Sequence, residues 1–154
     1  MSLLPEQIRV LERGWLSSNN IVFHEGTEAT LVDSGYLTHA GQTLALLDRA
    51  LEGRKLVRLI NTHSHSDHIG GNATVRRAHG CRISVPEGMA PAVRDWDEDA
   101  LLLTTAHQQA EPSEFDATLA PVMFIGAMQG LVIESALAGD EAAMLKRARQ
   151  LFPL

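Results

Sequence analysis

The sequence is short of two kinds of residue, cysteine and basic side chains. Its 154 residues include one cysteine, Cys81, which excludes an internal disulfide framework and any zinc cluster built from cysteines. Lys and Arg number 13 against 19 Asp and Glu, which gives a formal net charge of −6 at pH 7. Because no basic surplus is available to neutralise phosphates, nucleic acid is not expected as a partner.

A long apolar segment is also missing. The longest nearly apolar run, residues 119–133, is shorter than the roughly 20 residues that a membrane-spanning helix needs. The first six residues, MSLLPE, contain neither the basic stretch nor the apolar core of a signal peptide. We therefore expect a cytoplasmic protein that has no membrane partner.

The residues that are present are typical of one globular domain, because 45% of them are hydrophobic and 21% are charged. Apolar residues at helical spacing predict helices over residues 40–51 and 72–79. Hairpins followed by alternating strands and helices predict a layered α/β domain. Short β-branched or apolar runs predict strands at residues 8–11, 20–24, 29–33, 56–60 and 81–85.

The later part of the chain has a different character. Residues 95–116 contain seven acidic residues and no Lys or Arg, a pattern typical of a solvated face. Residues 122–138 are apolar on most sides, and residues 141–152 have their basic residues late, where the helix dipole favours them. Both segments are predicted helices. We accordingly divide the chain into residues 1–120 and a helical tail, residues 121–154.

Potential metal ligands are concentrated in residues 61–72, NTHSHSDHIGGN, directly after a buried-type strand. In an extended loop, His63 and His65 project to the same side, so that both reach one ion. Asp67 and His68 follow one turn later and face a second ion. Imidazole and carboxylate groups suit zinc, and also iron or manganese. The simpler alternative is a surface loop that happens to be rich in histidine.

This loop resembles the His-x-His-x-Asp-His signature of the metallo-β-lactamase superfamily. Upstream, LVDSG at residues 31–35 is similar to the aspartate that ends a strand in that family. Downstream, the GGN at residues 70–72 and the helix and strand that follow also fit. The resemblance covers residues 5–118 or so, and it implies the N-terminal part of an αββα sandwich, followed here by the helical tail.

The resemblance also implies a chemistry. His63 and His65 would bind a first metal, Asp67 and His68 a second, and Asp33 would help to order the site. Up to two zinc ions would activate a hydroxide that attacks an ester, thioester, lactone or lactam bond of a small-molecule substrate. Asp67 is then the candidate catalytic residue, because it would orient the nucleophile or carry a proton.

The family takes further metal ligands from later in its chain, where this sequence has only His79 and His107. Neither histidine lies in the family's Gly-His context, so the chain contains about half of the metal site that the resemblance implies. Residues 122–154 resemble the last helices of tetracycline-repressor-like regulators. No DNA-binding role follows, since a helix-turn-helix segment and a basic face are both missing.

Three interpretations therefore stay open. The first is an active metal-dependent hydrolase, and the second is a truncated, non-catalytic remnant that binds one metal ion weakly. The third is an interaction module that forms a homodimer through residues 122–137. In the structural interpretation of the tail that we favour, these helices cover an open sheet face or pair with another subunit.

Overall fold

In the computed structural model, the described residues are 4–13, 18–99, 101, 110–112 and 117–119. They form a six-stranded sheet in which the strands lie side by side in sequence order. The strands are β1 (Ile8–Leu11), β2 (Asn20–Glu25), β3 (Glu28–Val32), β4 (Lys55–Ile60), β5 (Arg82–Pro86) and β6 (Ala117–Leu119). The helices are α1 (Ala40–Leu51), α2 (Ser66–Ile69), α3 (Asn72–His79) and α4 (Ala90–Asp95).

The sheet is antiparallel at one end and parallel at the other. Strands β1, β2 and β3 pair antiparallel, whereas β3 to β6 pair parallel. Helix α1 connects β3 to β4, and α3 connects β4 to β5. Since α1 contacts β1 and β2, α3 contacts β4 and β5, and the two helices contact each other, both cover the same face. This mixed α/β arrangement confirms the predicted fold class.

The main core lies between the sheet and these two helices. Leu31, Leu59 and Ile83 come from three neighbouring strands and are fully buried against Leu47 of α1 and Val75 of α3. Complete burial of one such side chain stabilises the fold by about 1.5–3 kcal/mol. The apolar spacing that predicted the helices therefore marks the residues that hold them on the sheet.

The opposite face of the sheet is covered less completely. A smaller cluster there consists of buried Val32 and Ile60 with the partly buried Ile21 and Phe23. Val10 is 37% exposed. The sheet therefore has one face with a full helical layer and one face whose apolar side chains are only partly covered.

The predicted elements are confirmed where the described residues test them. The observed bounds of α1 and α3 match the predicted ones, and the five predicted strands appear within one residue at either end. Helix α1 ends on Glu52, whose φ of 51° is left-handed, and Gly53 follows with φ 82°. Asp95, Asp97, Glu98 and Asp99, the described residues at the start of the acidic run, are exposed as expected.

Three elements were not predicted. Helix α2 is a single turn inside the stretch expected to be a loop, α4 begins the segment where the chain changes character, and β6 has three residues. All are too short to show a period in the sequence. The predicted tail, residues 121–154, lies outside the described residues. Within the described part of the chain, no helix combines the length and the apolar character that crossing a membrane requires.

Candidate metal centre

The polar side chains of the histidine-rich loop meet at the carboxyl-terminal edge of the sheet. Asp33 directly follows β3, and the loop begins at Asn61 directly after β4. Because these strands are parallel neighbours, their ends lie side by side. The Asp33 N–H donates to the Ile60 carbonyl at 2.9 Å, which extends the pairing by one residue. The topology thus brings together two segments that are about thirty residues apart in the sequence.

A buried amide pair closes the two ends of the loop. The Asn72 side chain donates to Asn61 Oδ1 at 2.7 Å, and the Asn61 side chain donates back to Asn72 Oδ1 at 3.1 Å. Ser34 Oγ also donates to Asn72 Oδ1, at 2.7 Å. Asn61 and Asn72 are each 1% exposed. Since every one of these polar groups has a partner, the network fixes where the loop leaves β4 and where α3 begins.

Two glycines allow the loop to pack against the backbone that follows β3. The Gly71 N–H donates to the Gly35 carbonyl at 2.9 Å. A Cβ at Gly71 would lie 2.4 Å from the Ser34 carbonyl oxygen, and one at Gly70 would lie 2.5 Å from the Leu37 nitrogen. Both distances are shorter than van der Waals contact and involve backbone atoms. Only glycine fits at these two positions without a movement of the chain.

Asp33 is the buried centre of the site. It is 3% exposed and has a φ of 57°, which is left-handed and uncommon for a residue other than glycine. Its carboxylate accepts three hydrogen bonds: from the Thr62 N–H at 2.9 Å, from Thr62 Oγ1 at 2.8 Å and from His68 Nδ1 at 2.7 Å. The resemblance implies that Asp33 orders the site, and the structure places it against the loop.

These hydrogen bonds decide which nitrogen of each imidazole is free. An ionised carboxylate only accepts, so His68 Nδ1 carries the proton shared with Asp33 and leaves Nε2 available. Thr62 Oγ1 gives its proton to Asp33 and accepts from His63 Nδ1 at 3.0 Å. His63 therefore also presents Nε2. A carboxylate or hydroxyl that orients the far nitrogen of an imidazole is the usual support for a metal-binding histidine.

The side-chain atoms that would bind metal form two close pairs. His63 Nε2 lies 3.1 Å from His65 Nδ1, and His68 Nε2 lies 3.3 Å from Asp67 Oδ2. Two ligands of a tetrahedral zinc ion with bonds of 2.0–2.1 Å are about 3.4 Å apart. The rings of His63 and His68 lie 3.8 Å apart between centroids and are tilted by 49° to each other, so the two donor pairs are adjacent. Both the type of donor and the spacing fit two ligands of each of two neighbouring ions.

The two central imidazoles differ in basicity. Burial lowers the pKa of His63, and the neighbouring His68 and His65 lower it further, against a smaller opposite effect of Asp33 and Asp67. Burial also acts to lower the pKa of His68, but the hydrogen bond that His68 donates to Asp33 and the charges of both aspartates outweigh it and raise that pKa. A metal ion binding here would therefore have to displace a proton from His68 more than from His63.

The donor set is incomplete within the described residues. No group of three or more His, Cys, Asp or Glu side chains in that part of the chain is arranged to hold a metal ion. His79 is at the far end of α3, where Nε2 lies 3.9 Å from Asp48 Oδ1. His107 lies outside the described residues. The structure thus shows two donors for each of the two ions that the resemblance implies. It brings together all four residues that the sequence singled out.

Sequence reasoning missed the residues that support these four. Thr62, Ser34, Asn61 and Asn72 carry no pattern of their own, because each acts through a partner on another segment. Asn61 and Asn72 bracket the motif, and that position is the one signal by which they were detectable. His24, near the end of β2, is buried, with Nε2 2.6 Å from the Ala50 carbonyl oxygen at the end of α1.

A model of the metallo-β-lactamase superfamily matches residues 13–133. The chain belongs to this superfamily. It is 30% identical over 95 residues to a hydroxyacylglutathione hydrolase of Rhodopseudomonas palustris, a match that covers 61% of this chain and 35% of the relative. It is 39% identical over 79 residues to the hydroxyacylglutathione hydrolase of Methylococcus capsulatus, covering 50% of this chain and 27% of that one. The match thus spans about a third of the length of these curated relatives or less.

Solved structures of the superfamily share the fold. A metallo-β-lactamase of Cronobacter sakazakii with a HARLDQ motif superposes with a TM-score of 0.63 at 20% identity, covering 77% of this chain and 45% of that one. The subclass B3 metallo-β-lactamase of Bradyrhizobium japonicum gives a TM-score of 0.59 at 18% identity, covering 77% and 44%. At these identities the likeness concerns the fold alone.

Proposed function

We propose that this chain is a metal-dependent hydrolase in which His63 and His65 hold one ion and Asp67 and His68 hold a second. The observation that carries the proposal is the spacing of the two donor pairs, 3.1 Å and 3.3 Å. Membership of the superfamily supports it as well. Zinc is the proposed metal, since imidazole nitrogen and carboxylate oxygen are ligands that it accepts in tetrahedral sites, and iron or manganese are the alternatives.

When bound, a divalent metal in such a site supplies Lewis acidity, which makes water acidic enough to act at neutral pH and polarises a carbonyl group. The residues of the chain supply the orientation. Asp33 and Thr62 keep the far nitrogens of His68 and His63 protonated, so that each ring offers Nε2. Two features keep the loop against the sheet edge. They are the Asn61–Asn72 pair and the close packing of Gly70 and Gly71 on the backbone that follows β3.

Of the two aspartates, only Asp67 is proposed as a catalytic residue. The Asp33 carboxylate is buried, and three hydrogen bonds occupy its oxygens. The Asp67 side chain is 23% exposed, and one of its oxygens lies next to His68 Nε2. A carboxylate in this position is able to orient a water molecule or to receive a proton at Oδ during the cleavage of an acyl bond.

The proposed substrate class is an acyl thioester or ester of a small molecule. The curated relatives are named hydroxyacylglutathione hydrolases, and we transfer only the class of bond. Lactones and lactams belong to the same proposal, because all four bond types present a carbonyl carbon to an activated water.

The incomplete donor set favours a second candidate, a remnant that binds one ion loosely and has no activity. Two protein ligands hold a metal more weakly than three or four, and the described residues provide two for each ion. An active enzyme therefore requires further ligands from residues outside the described part of the chain or from a second copy.

Turnover separates the two candidates. The purified chain is incubated with phenyl thioacetate and with phenyl acetate, with and without added zinc. For an enzyme, zinc-dependent cleavage is expected, and Asp67→Asn should lower the rate about 100-fold or more while zinc is retained at the His63–His65 pair. His79→Gln is the matched control and should leave the rate unchanged. Zinc binding without any turnover would establish the remnant, and an unchanged rate in Asp67→Asn would exclude the role of Asp67.

A further inference from the structure

Arg13 has an unusual environment. Both terminal nitrogens of its guanidinium, Nη1 and Nη2, are buried and have no hydrogen-bond partner among the described residues, although the residue as a whole is partly exposed. Arginine ordinarily covers its stem and keeps its charged head in water. Burial lowers the pKa of Arg13, but a guanidinium stays charged at any physiological pH. An unpaired buried charge costs several kcal/mol, so it calls for a partner.

The position of the Arg13 side chain follows from its contacts beyond the end of β1. Arg9 bonds to Glu52 at the end of α1 at 2.9 Å, and Leu11 belongs to the core under α1. Arg13 follows Leu11 by two residues, and its guanidinium packs against Gly35, which lies between β3 and α1. A Cβ on Gly35 would lie 3.2 Å from Arg13 Nη2 and 3.1 Å from Thr43 Oγ1. Glycine at this position therefore leaves the space in which the guanidinium lies.

A second unpaired polar group lies on the face of the sheet that carries Leu11. Asn20 is 0% exposed, and within the part of the chain that the structure describes neither its Oδ1 nor its Nδ2 has a partner. Asn20 is directly opposite Leu11 in the β1–β2 ladder, and opposed residues point to the same side of a sheet. Arg13 and Asn20 thus contribute three unpaired nitrogens and one unpaired oxygen to the α1 side of the first hairpin. Most buried polar groups in proteins have partners, so each exception requires an explanation.

The acidic side chains described nearby are already engaged. Asp33 accepts from Thr62 and His68, and Glu52 is bonded to Arg9 and Arg54. Water is able to satisfy an amide, but it does not neutralise a buried guanidinium. A ligand that serves as the partner of this group would carry negative charge and present at least two acceptor atoms.

We propose that Arg13 and Asn20 form a subsite for an oxyanion, namely a carboxylate or phosphate group of a small molecule. The guanidinium would donate two parallel hydrogen bonds to two oxygens, which is its preferred geometry with such groups. Asn20 would donate a third bond, and its Oδ1 would accept from a hydroxyl of the ligand or from water. Gly35, against which Arg13 packs, also accepts the Gly71 N–H. The subsite therefore adjoins the loop that carries the donor pairs, although it does not depend on a metal.

The test uses the full chain after removal of metal with a chelator. Thermal unfolding and isothermal titration are measured with inorganic phosphate and with acetate, against chloride at matched ionic strength. Because the net charge of the chain is −6, anions have no general attraction to it, and a specific response identifies a built site. The variants are Arg13→Met and Asn20→Asp. Arg82→Gln, which removes an exposed arginine and the same unit of charge, is the matched control.

Phosphate, acetate or both should raise the unfolding temperature of the wild type and of Arg82→Gln, whereas chloride should not. Arg13→Met should bind the effective anion at least about tenfold more weakly, since it loses charge-assisted hydrogen bonds. Without anions it should unfold at or above the wild-type temperature, because it no longer buries an unpaired charge. Asn20→Asp should also bind more weakly, since its carboxylate competes for Arg13.

Three results would overturn the proposal. The first is a wild type that responds to neither oxyanion. The second is an Arg13→Met variant that binds as the wild type does, and the third is one that unfolds far below it without anions, because Arg13 then has a partner inside the protein. Wild-type affinity in Asn20→Asp would remove Asn20 from the subsite.

Discussion

The two donor pairs of the loop differ in how firmly the fold holds them. His68 is bonded through Nδ1 to the buried Asp33 at 2.7 Å, and its carbonyl accepts from the Ser34 N–H at 2.8 Å. The Asp67 carbonyl also accepts from the Ser18 hydroxyl. The hydroxyl of Thr62 supports the His63 ring. The His65 side chain, in contrast, is exposed, and its ring nitrogen contacts the ring of His63. One pair is therefore built into the sheet edge, and the other lies on its surface.

The fold therefore orients the side chains of the Asp67–His68 pair more firmly than those of the His63–His65 pair. Ordering a loose side chain on binding costs about 0.5–1.5 kcal/mol, and this cost falls on the His63–His65 pair. We therefore expect the fold to depend on the supports of Asp67 and His68 and to tolerate changes at His65.

The largest effect is expected from Asp33→Ala. The change leaves the Thr62 N–H, the Thr62 hydroxyl and His68 Nδ1 without their acceptor, and all three donors belong to partly buried residues. We predict a loss of about 3 kcal/mol in the free energy of unfolding, measured by urea denaturation of the metal-free chain. Asp33→Asn is the control, because asparagine tolerates the left-handed backbone and keeps one acceptor, so its loss should be smaller. A loss below about 1 kcal/mol in Asp33→Ala would contradict the central place of this carboxylate.

The second effect concerns the packing beneath the Asp67–His68 pair. Gly71→Ala places a Cβ 2.4 Å from the Ser34 carbonyl oxygen, and we predict a loss of about 2 kcal/mol in the free energy of unfolding. Gly41→Ala is the matched control in α1, where a Cβ meets nothing within 4 Å. It should stabilise the chain by about 0.5–1 kcal/mol, since alanine is the better helix former. Equal effects of the two substitutions would refute the close approach of the loop.

The third prediction compares one histidine from each pair in the absence of metal. His68→Ala leaves the buried Asp33 carboxylate without the hydrogen bond from His68 Nδ1 and should lower the free energy of unfolding by about 1–2 kcal/mol. His65→Ala removes an exposed side chain and should change it by less than about 0.5 kcal/mol. Both values come from chemical denaturation in the presence of a chelator. If His65→Ala is the more damaging change, the contrast between the pairs is reversed.

The smallest effect is expected at Thr62, the single link between Asp33 and His63. Thr62→Val removes the hydroxyl that orients the His63 ring, and it should weaken zinc binding at the His63–His65 pair about 10-fold. Thr62→Ser retains the hydroxyl and should bind like the wild type. Zinc titration against a competing chelator measures both variants. If valine and serine behave alike, the hydroxyl does not orient His63.

The helices and the four donor residues could be predicted from the sequence, whereas the residues that support the donors could not. The bounds of α1 and α3 were predictable because burial against the sheet requires apolar residues at helical spacing within each helix. Leu47 and Leu51 are such residues in α1, and Val75 is one in α3. The four donor residues were predictable because they lie next to one another in the chain, so that a local motif records them.

The supports were not predictable, for a physical reason. The Ser34 hydroxyl meets the Asn72 side chain across 38 residues, and Thr62 meets Asp33 across 29. Hydroxyls and amides in such contacts show no period along the chain, and the topology of the sheet decides which of them meet. The environment of Arg13 was not predictable for the same reason, because its guanidinium becomes buried only when the segment after β1 packs beside Gly35.

Zinc stoichiometry is the sharpest test of the proposal that the loop holds two ions through two separate pairs. The chain and two variants, His65→Ala and Asp67→Ala, are dialysed against micromolar zinc and weighed by native mass spectrometry. We expect close to two ions in the wild type and one in each variant. A wild type without zinc, or a variant that still holds two ions, would show that the two pairs are not separate metal sites.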